Sequence, residues 1–539
     1  MTRVLAGLTP RNFAREALAG VTLLAIAVPL NIGYAQIAGL PPTAGLYSLI
    51  VPAVVYALIV SSRQLVASPD AAAAALVASS LGGLAVAGSQ SYLVLAFAQA
   101  IIAGVIFVLC AVFKLGFLAS FLSKPILVGF VGGLALDILV SQVAKMLGVK
   151  IDSGGEFVDK LVRLVTGIPT LNGWSVLIAA LSVLVLVLGR RFARIVPWAL
   201  IVLIVSTVVV LLTNLQAQGV DVLGEIEAGP PTLTWPVIPW SSWFALVPSA
   251  IALALVTMAE GLLVARSYGE KRGYATSPNR DLFAFGASNI AAGATGGFTL
   301  GSSTSRTAAM DQAGSRTQLP SLVAAAGTLL LVLFGTALLE DIPSPAIGAI
   351  VAVAVLPLLG IREFIGLWKM DRFEFAVGAV CFLGALLLGP IAGILIAFVL
   401  ALVNLARRAA NPPVDQLPES TPGVVVLRFA APLFFANATV FETAVQKAVT
   451  QGTDVRAIVL DLEAVTDIDV TGAESFTAAI EWLEAHDVTP YFSRLRPDLH
   501  ARLDHLGLGA GIEEFDNNRD AIAALAAKNS AALATKKGK

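Results

Sequence analysis

The chain has 539 residues, 57% of them hydrophobic and 13% charged, with a mean hydropathy of +0.84. That balance excludes a soluble globular protein as a description of the whole, because most of the chain has to lie in lipid. With 35 basic against 36 acidic residues, the charge gives no reason to expect nucleic acid as a partner.

Apolar stretches recur from about Ala17 to Arg407, each near the ~20 residues that cross a hydrocarbon core. They predict fourteen membrane segments, at 17–38, 44–60, 69–84, 91–113, 125–148, 173–189, 194–213, 244–266, 281–296, 303–314, 317–339, 345–360, 373–388 and 390–407. Arg3, Arg11 and Arg15 precede the first without a cleavage pattern, so this end is expected to be retained. An even count returns the tail to the side of the N-terminus. With both termini cytoplasmic, the inner loops carry Arg63, Lys114, Lys124, Arg190, Arg191, Arg194, Arg266, Lys271, Arg272 and Arg280, as the positive-inside rule requires. The outer loop from Asn214 to Ser242 has neither Lys nor Arg. Loop 149–172 departs from the rule, placing Lys150, Lys160 and Arg163 outside beside Asp152, Glu156 and Asp159. Cys110 and Cys381 fall inside apolar runs and read as buried hydrophobes, not disulfide halves or metal ligands.

The first segment carries Asn31 and Tyr34 between Pro29 and Gly39, either as walls of a pocket or as interhelical hydrogen-bonding groups. Segments three and ten are short and polar at their starts. The third opens on Val66-Ala67-Ser68-Pro69-Asp70-Ala71, which reads as cap, first-turn proline and early carboxylate. Asp70 either complements the helix dipole or faces a ligand. In the eighth segment Glu260 stands between Ala259 and Gly261, far from either end, where a carboxyl can take up and release a proton during a transport cycle or pair with Arg306. The tenth opens on Gly296-Gly297-Phe298-Thr299-Leu300-Gly301-Ser302-Ser303, followed by Thr304, Ser305 and Arg306. Unpaired first-turn amides, hydroxyls and a guanidinium at one helix start make an anion site. Arg306 alternatively pairs with Asp70 or Glu260. Matched breaks in two halves of seven point to inverted repeats with a binding site at the bilayer midplane.

From Asn411 onward apolar and charged residues interleave as in a globular domain, so the chain divides into a membrane domain, 1–410, and a tail, 411–539. Val424 to Phe429 and Ala457 to Leu462 read as strands, each followed by an amphipathic helix, hence an α/β fold. The loop Asp467 to Ala473 opens a helix, and Thr471 there is either a cap or a phosphorylation site. His486, His500 and His505 read as surface residues, and no metal cluster, P-loop or nucleophile triad is apparent.

The residues resemble the SulP sulfate permeases, anion transporters with a C-terminal STAS domain. The resemblance rests on Ala38-Gly39-Leu40-Pro41-Pro42 with Gly45-Leu46-Tyr47, on Ser61-Ser62-Arg63-Gln64, on Gly296 to Ala308, and on Asp467-Ile468-Asp469 with Thr471-Gly472. It implies a polytopic α-helical membrane protein of fourteen helices in two inverted repeats of seven, forming core and gate domains. It also implies a homodimer, elevator-type movement, and an anion bound between helices three and ten. By position, Ser305 and Arg306 match the family's anion-site pair, Glu260 its acidic coupling residue and Tyr34 its aromatic residue in helix one. Leu30 stands where many members have Gln, and Asp70 where many have an apolar residue. Val264, one turn after Glu260, replaces the Thr of sodium-driven relatives and favours proton coupling over sodium.

The expected function is therefore secondary transport of sulfate, bicarbonate or a dicarboxylate across the cell membrane, by proton symport or anion exchange, without a cofactor or resident metal. The expected substrate site comprises Asn31, Tyr34, Pro69, Asp70, Ala71, Ser302, Ser303, Thr304, Ser305 and Arg306. The alternatives are an anion channel, or a nucleobase permease, which would need neither Arg306 nor the tail. No catalytic constellation suggests an enzyme.

Overall fold

The computed structural model describes residues 5–117, 123–151, 156–192, 196–226, 228–417, 421–452, 454–508, 511 and 513–537. Arg3, Asp152 and Arg194 lie outside them. The chain divides into two compact units, Met1–Ala401 and Leu402–Lys539.

In the first unit, α1 (Phe13–Ile37) is followed by a second segment broken into α2 (Pro42–Tyr47) and α3 (Val51–Ile59). The two-residue strand β1 (Ala67–Ser68) leads into α4 (Ala71–Leu81), then α5 (Gln90–Val112) and α6 (Lys124–Leu147). The mixed-charge loop is not irregular: it holds α7 (Phe157–Gly167), whose Lys160 pairs with Asp137 of α6 at 2.8 Å. Next come α8 (Gly173–Phe192), α9 (Trp198–Thr213), α10 (Trp240–Arg272) and α11 (Pro278–Ala294). Strand β2 (Gly301–Ser302) precedes α12 (Thr304–Gln312), and α13 (Leu319–Phe334), α14 (Ser344–Val355), α15 (Ile361–Met370) and α16 (Arg372–Leu387) follow; α17 (Pro390–Ala410) begins in this unit and ends in the second. Each of the fourteen predicted segments contains a helix. By length and apolarity alone six spans stand out among the described residues, and α7 with α8 form a further one bent by 116°. The others are shorter or interrupted.

The packing repeats itself between the two halves. α11 lies on α5 as α3 lies on α13, α1 on α13 as α10 on α5, and α1 meets α12 as α10 meets α4. Likewise α6 packs on α16 as α14 packs on α8. Exchanging the first seven segments for the second seven turns each pair into the other, which is how two structural repeats pack. Leu181, Val209, Leu212 and Leu383 are exposed, the surface a lipid-facing helix bundle presents. Cys381 is buried, but Cys110 is only partly so, a correction to the expectation that both are core residues.

The second unit is a five-stranded sheet in the order β3-β4-β5-β6-β7: β3 (Val414–Leu417), β4 (Val424–Phe429), β5 (Ala457–Asp461), β6 (Thr489–Ser493) and β7 (Glu514–Phe515). Only the β3–β4 pairing is antiparallel. α18 (Ala438–Thr450), α19 (Val470–Ala485) and α20 (Pro497–His505) cover one face through Phe441, Phe476 and Leu499. α21 (Asn518–Lys537) covers the other through Ala521 and Leu525. Burial works against charge on Asp461, but hydrogen bonds from Asn518 Nδ2 and Arg428 Nε, each 2.9 Å, hold its carboxyl below the usual range. All three histidines are exposed.

Candidate functional site

The two predicted breaks meet. β1 and β2 pair antiparallel, with Ala67 opposite Ser302 and Ser68 opposite Gly301. The pairing extends by one bond, Ser303 N to Val66 O at 3.0 Å, and the Val66 amide donates to Thr307 Oγ1 at 3.0 Å. Around this ribbon, Leu300 N donates to Asn289 Oδ1 (2.9 Å), and Gln318 Nε2 donates to the carbonyls of Ser62 (3.0 Å) and Leu65 (2.9 Å). Side chains thus satisfy backbone that cannot be helical here, the condition for irregular chain at membrane depth. β1 ends at α4 and β2 at α12, so two helix starts stand side by side.

The starts are capped differently. Asp70 caps α4, accepting from Ala73 N at 2.8 Å through Oδ1. Ser303 caps α12, accepting from Arg306 N at 3.3 Å and from Arg306 Nε at 2.7 Å. The guanidinium continues across the gap, where Nη2 donates to the Pro69 carbonyl, while Nη1 is buried without a partner among the described residues. Arg306 is 1% exposed and lies 5.8 Å from the centre of the Tyr34 ring. It therefore ties one helix start to the other. The Ser68 and Ser302 hydroxyls, one on each strand of the ribbon, are also buried and unpartnered among the described residues.

In front of the two starts lies a cavity of about 690 Å³. Its wall includes Tyr34 from α1, Asp70 and Ala71 from the start of α4, Ser302, Ser303, Thr304 and Ser305 from the start of α12, and Glu260 from α10. The opposite wall comes from α6, α9 and α14, with Val131, Trp198 and Ile350. Among the described residues, no Lys, Arg or His lies within 4.0 Å of the Asp70 or Glu260 carboxylate, so the alternative reading, a direct pairing with Arg306, is not formed.

Three expected members, Asn31, Pro69 and Arg306, are not in the wall. Asn31 is fully buried and donates to Ala27 O in its own helix at 2.7 Å, a bond internal to α1. Ile26, Leu30 and Tyr34 form the cavity-facing stripe of α1, and Asn31, turned about 100° from Leu30, points elsewhere. Pro69 contributes its carbonyl to Arg306 but no wall. Arg306 itself sits behind the wall, its charge acting through Ser303 and Tyr34, which do line it. Gln312 and Trp198 were not anticipated. Gln312 was within reach of a helical stripe, since Ser305, Ala308, Ala309 and Gln312 share one face of α12. Trp198 lies on another helix with no local signal. Thr471 is exposed in the first turn of α19, where Asp469 caps the helix by accepting from Gly472 N at 2.7 Å.

Chemically, the Ser303–Arg306 start can hold an anion, having orphan first-turn amides on Thr304 and Ser305, free hydroxyls and an adjacent permanent charge. The two carboxyls bounding the same space can exchange protons with it.

Comparisons with known proteins agree with this architecture. A sequence model of the Sulfate permease family matches residues 13–381, and one of the STAS domain matches residues 417–521. A probable sulfate transporter of Mycobacterium tuberculosis is 35% identical over 507 residues, covering 90% of each chain. Sulfate transporter 3.1 of Arabidopsis thaliana is 29% identical, over 85% of this chain and 76% of that one. Among solved structures, the murine solute carrier 26 family member A9 anion transporter in its inward-facing state superposes with a TM-score of 0.88 at 22% identity, covering 96% of this chain and 92% of that one. The transmembrane domain of the cyanobacterial bicarbonate transporter BicA gives 0.63 at 22% identity, over 74% of this chain and 100% of that one. These likenesses establish the fold.

Proposed function

The chain belongs to the sulfate permease family, a family of transporters and not of enzymes, and from that premise we propose that it is a secondary active carrier of small anions bound at the start of α12. One observation carries this reading: a cavity of about 690 Å³ ends on an open helix N-terminus with Ser302 to Ser305 in its wall and the buried Arg306 charge directly behind. The substrate is sulfate, bicarbonate or a dicarboxylate. Its negative charge is balanced by the helix start and Arg306, and Tyr34 closes one side. Glu260, in the same wall, is the coupling site, carrying a proton in with the anion or leaving the carrier free to exchange. The segments bearing α1, α4, α10 and α12 move as a core against α6, α9 and α14, in an elevator cycle within a homodimer. Residues 1–410 form the transport domain in the cell membrane, and residues 411–539 the STAS domain, with both termini cytoplasmic. Thr471, exposed at a helix start, is the regulatory phosphorylation site.

Proteoliposomes with imposed proton or sodium gradients, offered labelled sulfate, bicarbonate, succinate, fumarate and aspartate, test this. Uptake of one of these anions should follow a proton gradient and fall sharply in Arg306→Ala. Failure of every anion to enter would sink the carrier reading, and proton uptake persisting in Glu260→Gln would remove Glu260 from coupling.

A further inference from the structure

A second cavity, of about 410 Å³, lies at the other end of α4. Ala71 and Ala72 face the first cavity, whereas Ala75, Ala78 and Ser79 face the second, so one short alanine-rich helix divides them by roughly 9 Å at 1.5 Å per residue. The second cavity is walled by a stripe of α6 that runs Leu134, Asp137, Ile138, Ser141, Gln142 and Lys145, the i, i+3, i+4 spacing of one helix face.

Its polar groups are unequal in how they are satisfied. Lys160 is neutralised by Asp137, with both carboxylate oxygens within 3.0 Å of its Nζ. Glu156, the remaining acid, is exposed at the cavity's edge, in the cap position of α7. Lys145 has no acidic partner within 4.0 Å among the described residues, and its Nζ donates only to the neutral Gln36 Oε1 of α1, at 3.0 Å. Gln142, one turn before it, is 0% exposed, and neither its amide nitrogen nor its amide oxygen has a partner among the described residues. A buried amide with nothing to bond is costly to keep, and an unneutralised ammonium in a lipid-embedded wall is costlier. An oxyanion would accept from both the Lys145 ammonium and the Gln142 amide nitrogen, leaving only the amide oxygen unmatched.

We propose that this cavity is a separate binding site for a small oxyanion on the far side of α4, with Lys145 supplying the charge and the Gln142 amide a directed hydrogen bond. It stands at a junction between helices. Ile37 on α1 and the end of α4 form one side, and α6, α7 and the end of α16 form the other, with Gln36 of α1 reaching Lys145 from outside the wall. The Lys145 ammonium has three N–H donors, so an oxyanion can take those that Gln36 Oε1 leaves free while the link between α1 and α6 is kept. The proposal stands apart from the reading that an anion binds at the α12 start, and the occupancy of neither site requires that of the other.

The test uses full-length protein with Cys110 and Cys381 replaced by alanine and Ser79→Cys placed in the cavity wall. The thiol is labelled with an anionic and with a cationic methanethiosulfonate reagent, each rate divided by its rate with a free thiol. The anionic reagent should be favoured by roughly tenfold, since Asp137 and Lys160 cancel, Glu156 stands exposed at the edge, and the Lys145 ammonium attracts one reagent and repels the other, and sulfate should slow it. Lys145→Gln should bring the ratio near one and abolish protection, and Lys145→Arg should restore both. Gln142→Leu should keep the charge preference but weaken protection by sulfate. Repeating the series in Ser305→Phe, which blocks the other cavity, separates the two sites. Protection that survives there belongs to this cavity, and protection lost there but kept in Lys145→Gln belongs to the α12 start and overturns the proposal. Equal normalised rates for the two reagents in the Lys145 protein would overturn it as well.

Discussion

The starts of α4 and α12 are paired strand to strand and both face the same cavity, yet they do opposite electrostatic work. α4 is answered from within the chain: the Asp70 carboxylate occupies the position where a helix N-terminus attracts an anion, taking the Ala73 amide. α12 is capped by a neutral hydroxyl, Ser303, and reinforced by a cation, Arg306. Two helix dipoles thus point at one space with only one vacancy for negative charge. The difference teaches that a pair of broken helices is not by itself a symmetric two-tipped clamp. One tip supplies shape, and the other selects the sign of the ligand.

The strongest way to break the comparison is at Gly301, opposite Ser68 in the ribbon. A methyl group there would collide with Asp70 Oδ2 and lie 2.5 Å from Asp70 Cγ. Gly301→Ala should therefore cost about 3 kcal/mol, read as a lowered unfolding temperature of the detergent-purified protein together with lost uptake. Because the clash is with a side chain, adding Asp70→Gly should recover much of the stability. A Gly301→Ala protein with unchanged stability would mean that Asp70 is not held against β2.

Arg306→Ala comes next. It removes the link from α12 to the Pro69 carbonyl as well as the charge behind the wall. Charged hydrogen bonds contribute about 1.5–3 kcal/mol, so anion uptake should fall roughly tenfold to a hundredfold. Arg306→Lys keeps the charge but cannot bond both tips at once, and should recover only part of it. Ser303→Ala sharpens the contrast at lower cost: about 1 kcal/mol for the lost cap, with a several-fold weaker apparent affinity as Arg306 Nε loses its anchor. Ser303→Thr should behave as wild type, and a Ser303→Ala protein matching it in both readouts would detach the cap from the site.

Much of this was legible in the sequence, for specific reasons. The breaks announce themselves because glycine, serine and proline interrupt otherwise apolar segments, and Arg306 because a cation inside such a segment needs a purpose. That Arg306 stands behind the wall was not legible, since it depends on a side-chain direction that crosses from α12 to Pro69, 237 positions earlier in the chain. The fit of Asp70 over Gly301 depends in the same way on the register of a ribbon whose strands are far apart in sequence. Asn31 misled because a polar residue in an apolar helix looks like a ligand group whichever way it faces. Helix α7 was read as a loop because its charges drew attention away from Phe157, Leu161 and Leu164, spaced as a helix face.

The mildest change is the most informative about the comparison. Asp70→Asn retains an oxygen that can accept from Ala73 N, so the cap and the stability of α4 should change by less than about 0.5 kcal/mol. What disappears is the chain's own negative charge at the edge of a cavity that admits an anion. For a substrate roughly 10 Å away and an effective dielectric near 40, that of a cavity holding water, the repulsion removed is about 0.8 kcal/mol for each substrate charge. The apparent KM of a monovalent anion should then fall about fourfold, and that of a divalent one by roughly the square of that factor. Measured side by side in proteoliposomes, the ratio of the two shifts reports whether Asp70 is ionised when substrate arrives. If neither KM moves, Asp70 meets the substrate uncharged, and α4 then differs from α12 in its cap's geometry and not in its sign.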